Sequence, residues 1–136
     1  MKVLVIDAQG GGIGKQLVSA LKQRIPEVVI MAVGTNFAAT SAMLKAGADH
    51  AATGENAVVY NAARAGLILG PIGIILANGI WGEISPAMAA AVSGSEAVKI
   101  LIPSSNCGVY VAGSEGLRTD EYLHRAVEQA VQVLSC

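Results

Sequence analysis

Cysteine, aromatic residues and charged residues are all scarce in this sequence of 136 residues. The two cysteines, Cys107 and Cys136, form no C-x-x-C pair, which excludes a disulfide framework and favours a reducing compartment. His50 and His124 have no second histidine or cysteine close by in sequence, so we expect no metal site. The chain has to fold on an apolar core alone, and its length is sufficient for that.

Excess charge of either sign is also missing. Charged residues make up 14% of the chain, the formal net charge is −1, and no stretch gathers Lys and Arg on one face. These features exclude the electrostatic footprint of a protein that binds DNA or RNA. Apolar residues make up 53% of the chain, which favours strands covered on both faces and allows self-association into a homo-oligomer.

No hydrophobic run is long and uninterrupted enough for a targeting or membrane segment. The apolar start, Met1–Ile6, is too short for a signal peptide, so we expect a cytoplasmic protein. The segment Ala65–Gly82 carries no charge and reaches the minimum length of a membrane span. Because five glycines, Pro71 and Asn78 interrupt it, we expect no membrane association.

Apolar runs of strand length alternate with patterns of helical period. This alternation predicts a single α/β domain over residues 1–136, a Rossmann-like three-layer sandwich whose mostly parallel sheet has five or six strands. The segment Ile72–Ile84 fits a loop or a broken helix against the end of the sheet. Helices are expected to begin near Ile13, Phe37, Glu55, Pro86 and Thr119, and strands at Val3–Ile6, Val28–Val33, Asp49–Ala52, Leu67–Leu69, Lys99–Ile102 and Val109–Val111.

The loop between the first strand and the first helix is rich in glycine. Successive glycines let backbone amides approach an anion closely, and the helix amino end adds unpaired N–H groups and partial positive charge. The pattern therefore predicts a phosphate site, with Lys15 neutralising the phosphate charge. The alternative is that the glycines only form a tight turn. The predicted binding residues of this loop are Gly10, Gly11, Gly12, Ile13, Gly14 and Lys15.

Known phosphate motifs match this loop only in part. Lys15 stands where G-x-G-x-x-G requires a third glycine, and Gln9 and Gln16 break the triphosphate-binding pattern. The loop also looks like the shortened phosphate loop of ParA-type ATPases, but no later strand ends in the acidic residue that would hold a metal, which disfavours ATP hydrolysis. Arg64 follows Tyr60 at the spacing where short-chain dehydrogenases have lysine, which disfavours their hydride transfer.

The predicted second strand is followed by Thr35 and Asn36, where NAD-binding proteins have an acidic residue. We therefore predict that both residues belong to the binding site, and that their uncharged donors suit an NADP-like phosphorylated ribose, or another phosphate, better than NAD. The weakest signals are three candidate catalytic residues at the carboxyl ends of strands. The alternative for Asp7 is that its carboxylate only bonds the amides of the loop, and the alternative for Glu55 is that it only places a favourable charge at the start of a helix. For Cys107, the sequence identifies no base that could activate the thiol.

Five runs of this sequence together carry a family resemblance, and they are Val5–Lys15, Gly34–Asn36, Ala39–Ala48, Ala52–Ala57 and Gly70–Ile74. They resemble a family of small bacterial proteins, domain of unknown function 3842, over nearly the whole chain. The resemblance implies a compact bacterial cytoplasmic protein, and it brings neither a substrate nor catalytic residues.

Three functions follow from these patterns. The leading hypothesis is binding of a nucleotide, a dinucleotide or another small phosphorylated ligand at the glycine-rich loop. The second is a small enzyme acting on a phosphorylated metabolite in the same crevice. The third is a structural or partner-binding subunit whose interface is Ala65–Gly82. Within that segment, Gly70–Gly73 is expected either to close over a flat ligand or to form an oligomer contact.

Overall fold

Strands and helices alternate along the chain in the computed structural model, which describes residues 1–104 and 108–135. This confirms the predicted α/β Rossmann-like three-layer sandwich. The elements are β1 (Val3–Asp7), α1 (Gly12–Arg24), β2 (Ile30–Gly34), α2 (Phe37–Lys45), β3 (His50–Thr53), α3 (Glu55–Ala62), β4 (Leu67–Pro71), a 3₁₀ helix (Ile72–Ile75), α4 (Pro86–Ser93), β5 (Val98–Ile102) and α5 (Thr119–Ser135).

The five described strands form one parallel sheet in the order β3-β2-β1-β4-β5. β1 is central: Val3 pairs with Ile30 of β2 on one side and with Leu67 of β4 on the other. β2 and β3 extend the sheet on one side of β1, and β4 and β5, which follow later in the chain, extend it on the other side. The order of strands therefore reverses between β1 and β4, where sheets of this kind bind their ligands.

Alternate residues of the strands enter two separate apolar layers. Val3 and Val5 pack towards α1 and α5, whereas Leu4 and Ile6 pack towards α3 and α4. These four side chains are at most 1% exposed, and burial of each one stabilises the fold by about 1.5–3 kcal/mol. Helices cover both faces of β1, which explains why its sequence is almost continuously apolar.

Two helices begin at side-chain caps. The Asn36 side chain accepts a hydrogen bond from the Ala39 amide at 2.9 Å and caps α2, and Ser85 accepts from the Met88 amide at 3.2 Å and caps α4. Such caps satisfy amides that have no partner within the helix. α5 begins at Thr119, where the sequence predicts a helix start.

The predicted sixth strand, Val109–Val111, is wrong. These residues have no strand conformation, and Tyr110 is 86% exposed. Gly108 and Gly113 on either side have φ of +69° and +87°, so the chain turns before and after the apolar triplet. These turns direct the four residues between the two glycines away from an extended path beside β5.

The uncharged segment Ala65–Gly82 contains the interior strand β4 and much of the stretch that follows this strand. All five residues of β4 are buried, which removes the first part of the segment from any interface. The chain then forms the 3₁₀ helix and a stretch, residues 76–84, that we call the rim segment. In the part of the chain that the structure describes, no helix has the length and apolar character to cross a membrane.

Candidate functional site

A crevice of about 250 Å³ lies at the carboxyl edge of the sheet, where the order of strands reverses. It is bounded by the loop after β1, the end of β4 and the rim segment, and we call it the switch-point crevice. A neighbouring depression of about 410 Å³ shares Ile13 and Ser104 with it. The residues that line the crevice are Asp7, Ala8, Gln9, Gly10, Gly12, Ile13, Pro71, Ile80, Trp81 and Ser104.

Asp7 determines the shape of the loop that follows β1. One carboxylate oxygen accepts a hydrogen bond from the Ala8 amide at 2.8 Å, and the other accepts from the Gly14 amide at 2.7 Å. The second bond satisfies an amide in the first turn of α1, for which the N-cap residue, Gly11, has no side chain. Asp7 therefore has the alternative role considered above, that of a carboxylate bonded to loop amides.

The buried Asp7 carboxyl is held in a balance of opposing effects. Burial raises its pKa above the usual value of 3.8, the amides of Gly14 and Ala8 act in the opposite direction, and the nearby Glu83 charge adds to the rise. Asp7 thus lines the crevice with both of its carboxyl oxygens bonded to backbone amides.

The four glycines of the loop divide into two pairs. Gly11 has φ of +73°, and a Cβ there would lie 2.9 Å from the Ala39 carbonyl oxygen, so only glycine fits against α2. At Gly14 a Cβ would lie 2.6 Å from the Met43 sulfur and 2.9 Å from the Asp7 Cβ. These two glycines allow α1 to pack closely against β1 and α2.

Packing within the fold does not require glycine at positions 10 and 12. A Cβ at either position would meet nothing within 4 Å, and neither residue has a positive φ. Both line the crevice. Among the residues that the structure describes, no hydrogen-bond partner within the protein is found for their amides, whereas the Gly11 amide donates to Ala8. Open space and free amides are what a bound anion requires at the start of a helix.

Glu83, from the rim segment, lies against the carboxyl end of β2. Its Oε1 accepts hydrogen bonds from the Gln9 amide at 3.0 Å, the Thr35 hydroxyl at 2.7 Å and the Asn36 side-chain amide at 2.9 Å. Burial opposes the charged form, but these three donors outweigh it and keep the pKa of Glu83 below the usual value of 4.5. A carboxylate thus occupies the place in which the sequence indicated only uncharged donors.

The structure brings some of the predicted binding residues together and separates others. Ile13 lines the crevice together with the two open glycines. Thr35 and Asn36 donate to Glu83, so these donors are already engaged. Lys15 lines a different depression, between α1 and α5, together with Asp120 and Leu123. Its position there does not support the expected role of neutralising a phosphate on the loop.

The other candidate catalytic residues do not meet in the crevice. Glu55 begins α3 and accepts a hydrogen bond from the Ser85 hydroxyl at the start of α4. Cys107 lies outside the described residues. Within residues 1–104 and 108–135, no group of three His, Cys, Asp or Glu side chains is placed to hold a metal ion.

Reasoning from the sequence missed the rim segment as a wall of the site. Ile80 and Trp81 line the crevice, and Glu83 anchors their segment to the glycine loop. One signal was present in the sequence: the single tryptophan and the charge at Glu83 close an otherwise apolar, uncharged stretch that follows a central strand.

Comparisons with known proteins show the fold and the family. No curated protein matches the chain. A solved structure, that of a dodecameric FMN-dependent UbiX-like decarboxylase from Escherichia coli O157:H7, matches with a TM-score of 0.54 and 17% identity. The match covers 100% of this chain and 95% of the other, and at this identity it shows that the two proteins share a fold. The family model described as Domain of unknown function (DUF3842) matches residues 2–135, and the chain belongs to that family.

Proposed function

We propose that the protein binds a small phosphorylated, nucleotide-like ligand in the switch-point crevice, with one phosphate on the amides of Gly10 and Gly12 at the start of α1. The observation that carries this proposal is the division of the glycines. Gly11 and Gly14 serve packing, whereas Gly10 and Gly12 leave open space and free amides in the crevice. Glycine in an unstrained, unpacked position costs conformational entropy, so its presence twice calls for another reason.

The charges around the crevice favour a ligand with a single phosphate. Of the described residues that line the crevice, none is Lys or Arg, and one is Asp7 with its carboxylate. Backbone amides and the helix dipole supply about half an elementary charge, which suits one phosphate group better than a triphosphate. The Glu83 carboxylate at the end of β2 would repel a phosphorylated ribose, which removes the earlier preference for an NADP-like ligand.

The size of the crevice also favours a small ligand. About 250 Å³ is slightly below the usual volume of small-molecule sites, and the neighbouring depression extends the space available. The decarboxylase with the same fold is FMN-dependent, and FMN is a monophosphate with a nucleotide-like form. FMN is therefore the first compound to test, with AMP beside it.

A thermal-shift screen tests the proposal. Wild-type protein is measured with FMN, AMP, NAD, NADP, ATP and ribose 5-phosphate, and the monophosphates are expected to raise the melting temperature most. At a hundred times its dissociation constant, a ligand stabilises the fold by about 2.7 kcal/mol, which is several degrees for a domain of this size.

Two variants locate the site. Gly12→Val places a branched side chain in the open space of the crevice and should abolish the shift. Lys15→Ala, which changes a residue of a different depression, is the control and should leave the shift unchanged. Folded wild-type protein with no shift, or a shift that survives Gly12→Val, would overturn the proposal.

We also propose that residues 1–136 act as one binding domain in the cytoplasm and that copies of the chain associate. Phe37 and Tyr110 are large side chains at least 78% exposed, and contact between copies would remove their apolar surface from water. The decarboxylase that shares the fold is a dodecamer. Light scattering across a range of concentrations measures the assembly directly, and a constant monomer mass would contradict this proposal.

A further inference from the structure

The only tryptophan of the chain stands at the crevice in an unusual backbone conformation. Trp81 is 83% exposed and has φ of +56°, and Ile80 before it has φ of +52°. Left-handed backbone is a genuine outlier for bulky and β-branched residues and strains the chain at each position. Since an indole that is so exposed contributes little to the core, the fold alone does not account for this arrangement.

Hydrogen bonds on both sides hold the rim segment in place. The Asn78 amide donates to the Ile84 carbonyl at 2.7 Å, and the Glu83 amide donates to the Ile80 carbonyl at 3.0 Å. The Glu83 side chain accepts from the Gln9 amide, and Ile84 is 1% exposed. Trp81 is thus presented on a framework that is tied to the glycine loop and to the core. A backbone held in this way loses little conformational freedom when a ligand binds.

Part of the crevice that Trp81 lines is apolar. Ile13, Pro71 and Ile80 line the crevice with it, and the free amides of Gly10 and Gly12 lie in the same crevice. A flat heteroaromatic ring gains from contact with an aromatic face and with apolar side chains of this kind. The crevice therefore combines an anion site with an aromatic wall.

We propose that Trp81 is the stacking wall for a planar heteroaromatic ring, and that the ligand of the crevice is a monophosphate carrying such a ring. This inference rests on the proposed function, because it takes the phosphate to lie on Gly10 and Gly12. Base-on-aromatic stacking, measured by substitution with alanine, corresponds to roughly a 5- to 150-fold change in affinity.

Calorimetric titration of three ligands tests the stacking role. FMN and AMP carry a flat ring and one phosphate, whereas ribose 5-phosphate carries the phosphate alone. Trp81→Ala should weaken FMN and AMP by about 5- to 150-fold, while Trp81→Phe, which keeps an aromatic face, should restore most of the affinity. Ribose 5-phosphate is expected to bind wild-type protein and Trp81→Ala equally weakly.

The control is Phe37→Ala, which removes another exposed aromatic ring, 78% accessible, that is not among the residues lining the crevice. It should leave all three affinities unchanged. Because Trp81 is the only tryptophan, its fluorescence gives a second readout, and AMP should change the emission of wild-type protein in step with calorimetric saturation.

The outcomes separate the two proposals. If AMP and FMN bind, Gly12→Val abolishes binding and Trp81→Ala does not weaken it, the phosphate site stands and the stacking role is refuted. Equal weakening of ribose 5-phosphate by Trp81→Ala would also refute stacking, because that ligand has no ring. If no compound binds to folded wild-type protein, both proposals are overturned.

Discussion

Alanine at Gly14 and alanine at Gly12 should have opposite effects on stability, although the two residues lie in the same turn of α1. At Gly14 the new Cβ would lie 2.9 Å from the Asp7 Cβ, and Asp7 cannot withdraw because both its oxygens are bonded to amides. Overpacking of this kind costs about 1–3 kcal/mol, and the better helix propensity of alanine offsets at most about 1 kcal/mol of that. At Gly12 nothing lies within 4 Å of the new Cβ, so the gain in helix propensity is not opposed by overpacking.

Urea unfolding followed by circular dichroism, with thermal melts beside it, measures the difference. We expect Gly14→Ala to lower the melting temperature by up to about 10 °C and Gly12→Ala to leave it unchanged or slightly higher. Gly12→Ala should nevertheless weaken ligand binding, since its methyl group projects into the crevice. If Gly12→Ala destabilises the protein as much as Gly14→Ala does, glycine at position 12 serves the fold, and its openness no longer supports a ligand site.

Three further changes test individual interactions. Glu83→Gln should destabilise the fold by about 1–2 kcal/mol at neutral pH, because the charged acceptor of three hydrogen bonds is lost. Since the pKa of Glu83 is lowered in the folded state, the unfolded state binds its proton more readily, and the wild-type protein loses stability as the pH falls below about 4.5. The variant should lose less stability over that range, and identical acid profiles would contradict this. Asp49 bonds Lys22 at 2.6 Å, which lowers its pKa, so in urea titrations Asp49→Asn should be less stable at pH 7 and less sensitive to acid below its usual value of 3.8. Ser85→Ala removes the cap of α4 and should cost about 1 kcal/mol in the same titrations; an unchanged midpoint would show that the Met88 amide has another acceptor.

Much of the fold could be predicted because its signals are local. Short apolar runs bounded by glycine identify the strands, and Asn36 and Ser85 are caps that the sequence displays. The false sixth strand at Val109–Val111 has the same local appearance. Whether such a triplet joins a sheet depends on the turns beside it and on a free edge, and neither is visible in β propensity.

The candidate site could be predicted only where it follows from one stretch of chain. A strand, a glycine-rich turn and a helix indicated the right loop, but the division of its glycines depends on how closely α2 approaches, which is a tertiary contact. Glu83 meets Gln9 across 74 residues and Thr35 across 48. No local pattern reveals a pairing at that separation, so the sequence placed a donor site where the folded chain has a carboxylate.

The reversal of strand order between β1 and β4 also bears on how the protein emerges during synthesis. β1 acquires its first neighbour, β2, early, but its other neighbour begins at Leu67, and the crevice needs the chain through Trp81 and as far as Ser104. At roughly 5–20 residues per second, several seconds separate translation of the glycine loop from that of its opposite wall. During that interval one edge of β1 has no strand beside it, so nascent chains of this family are most exposed to misassembly before β4 is made.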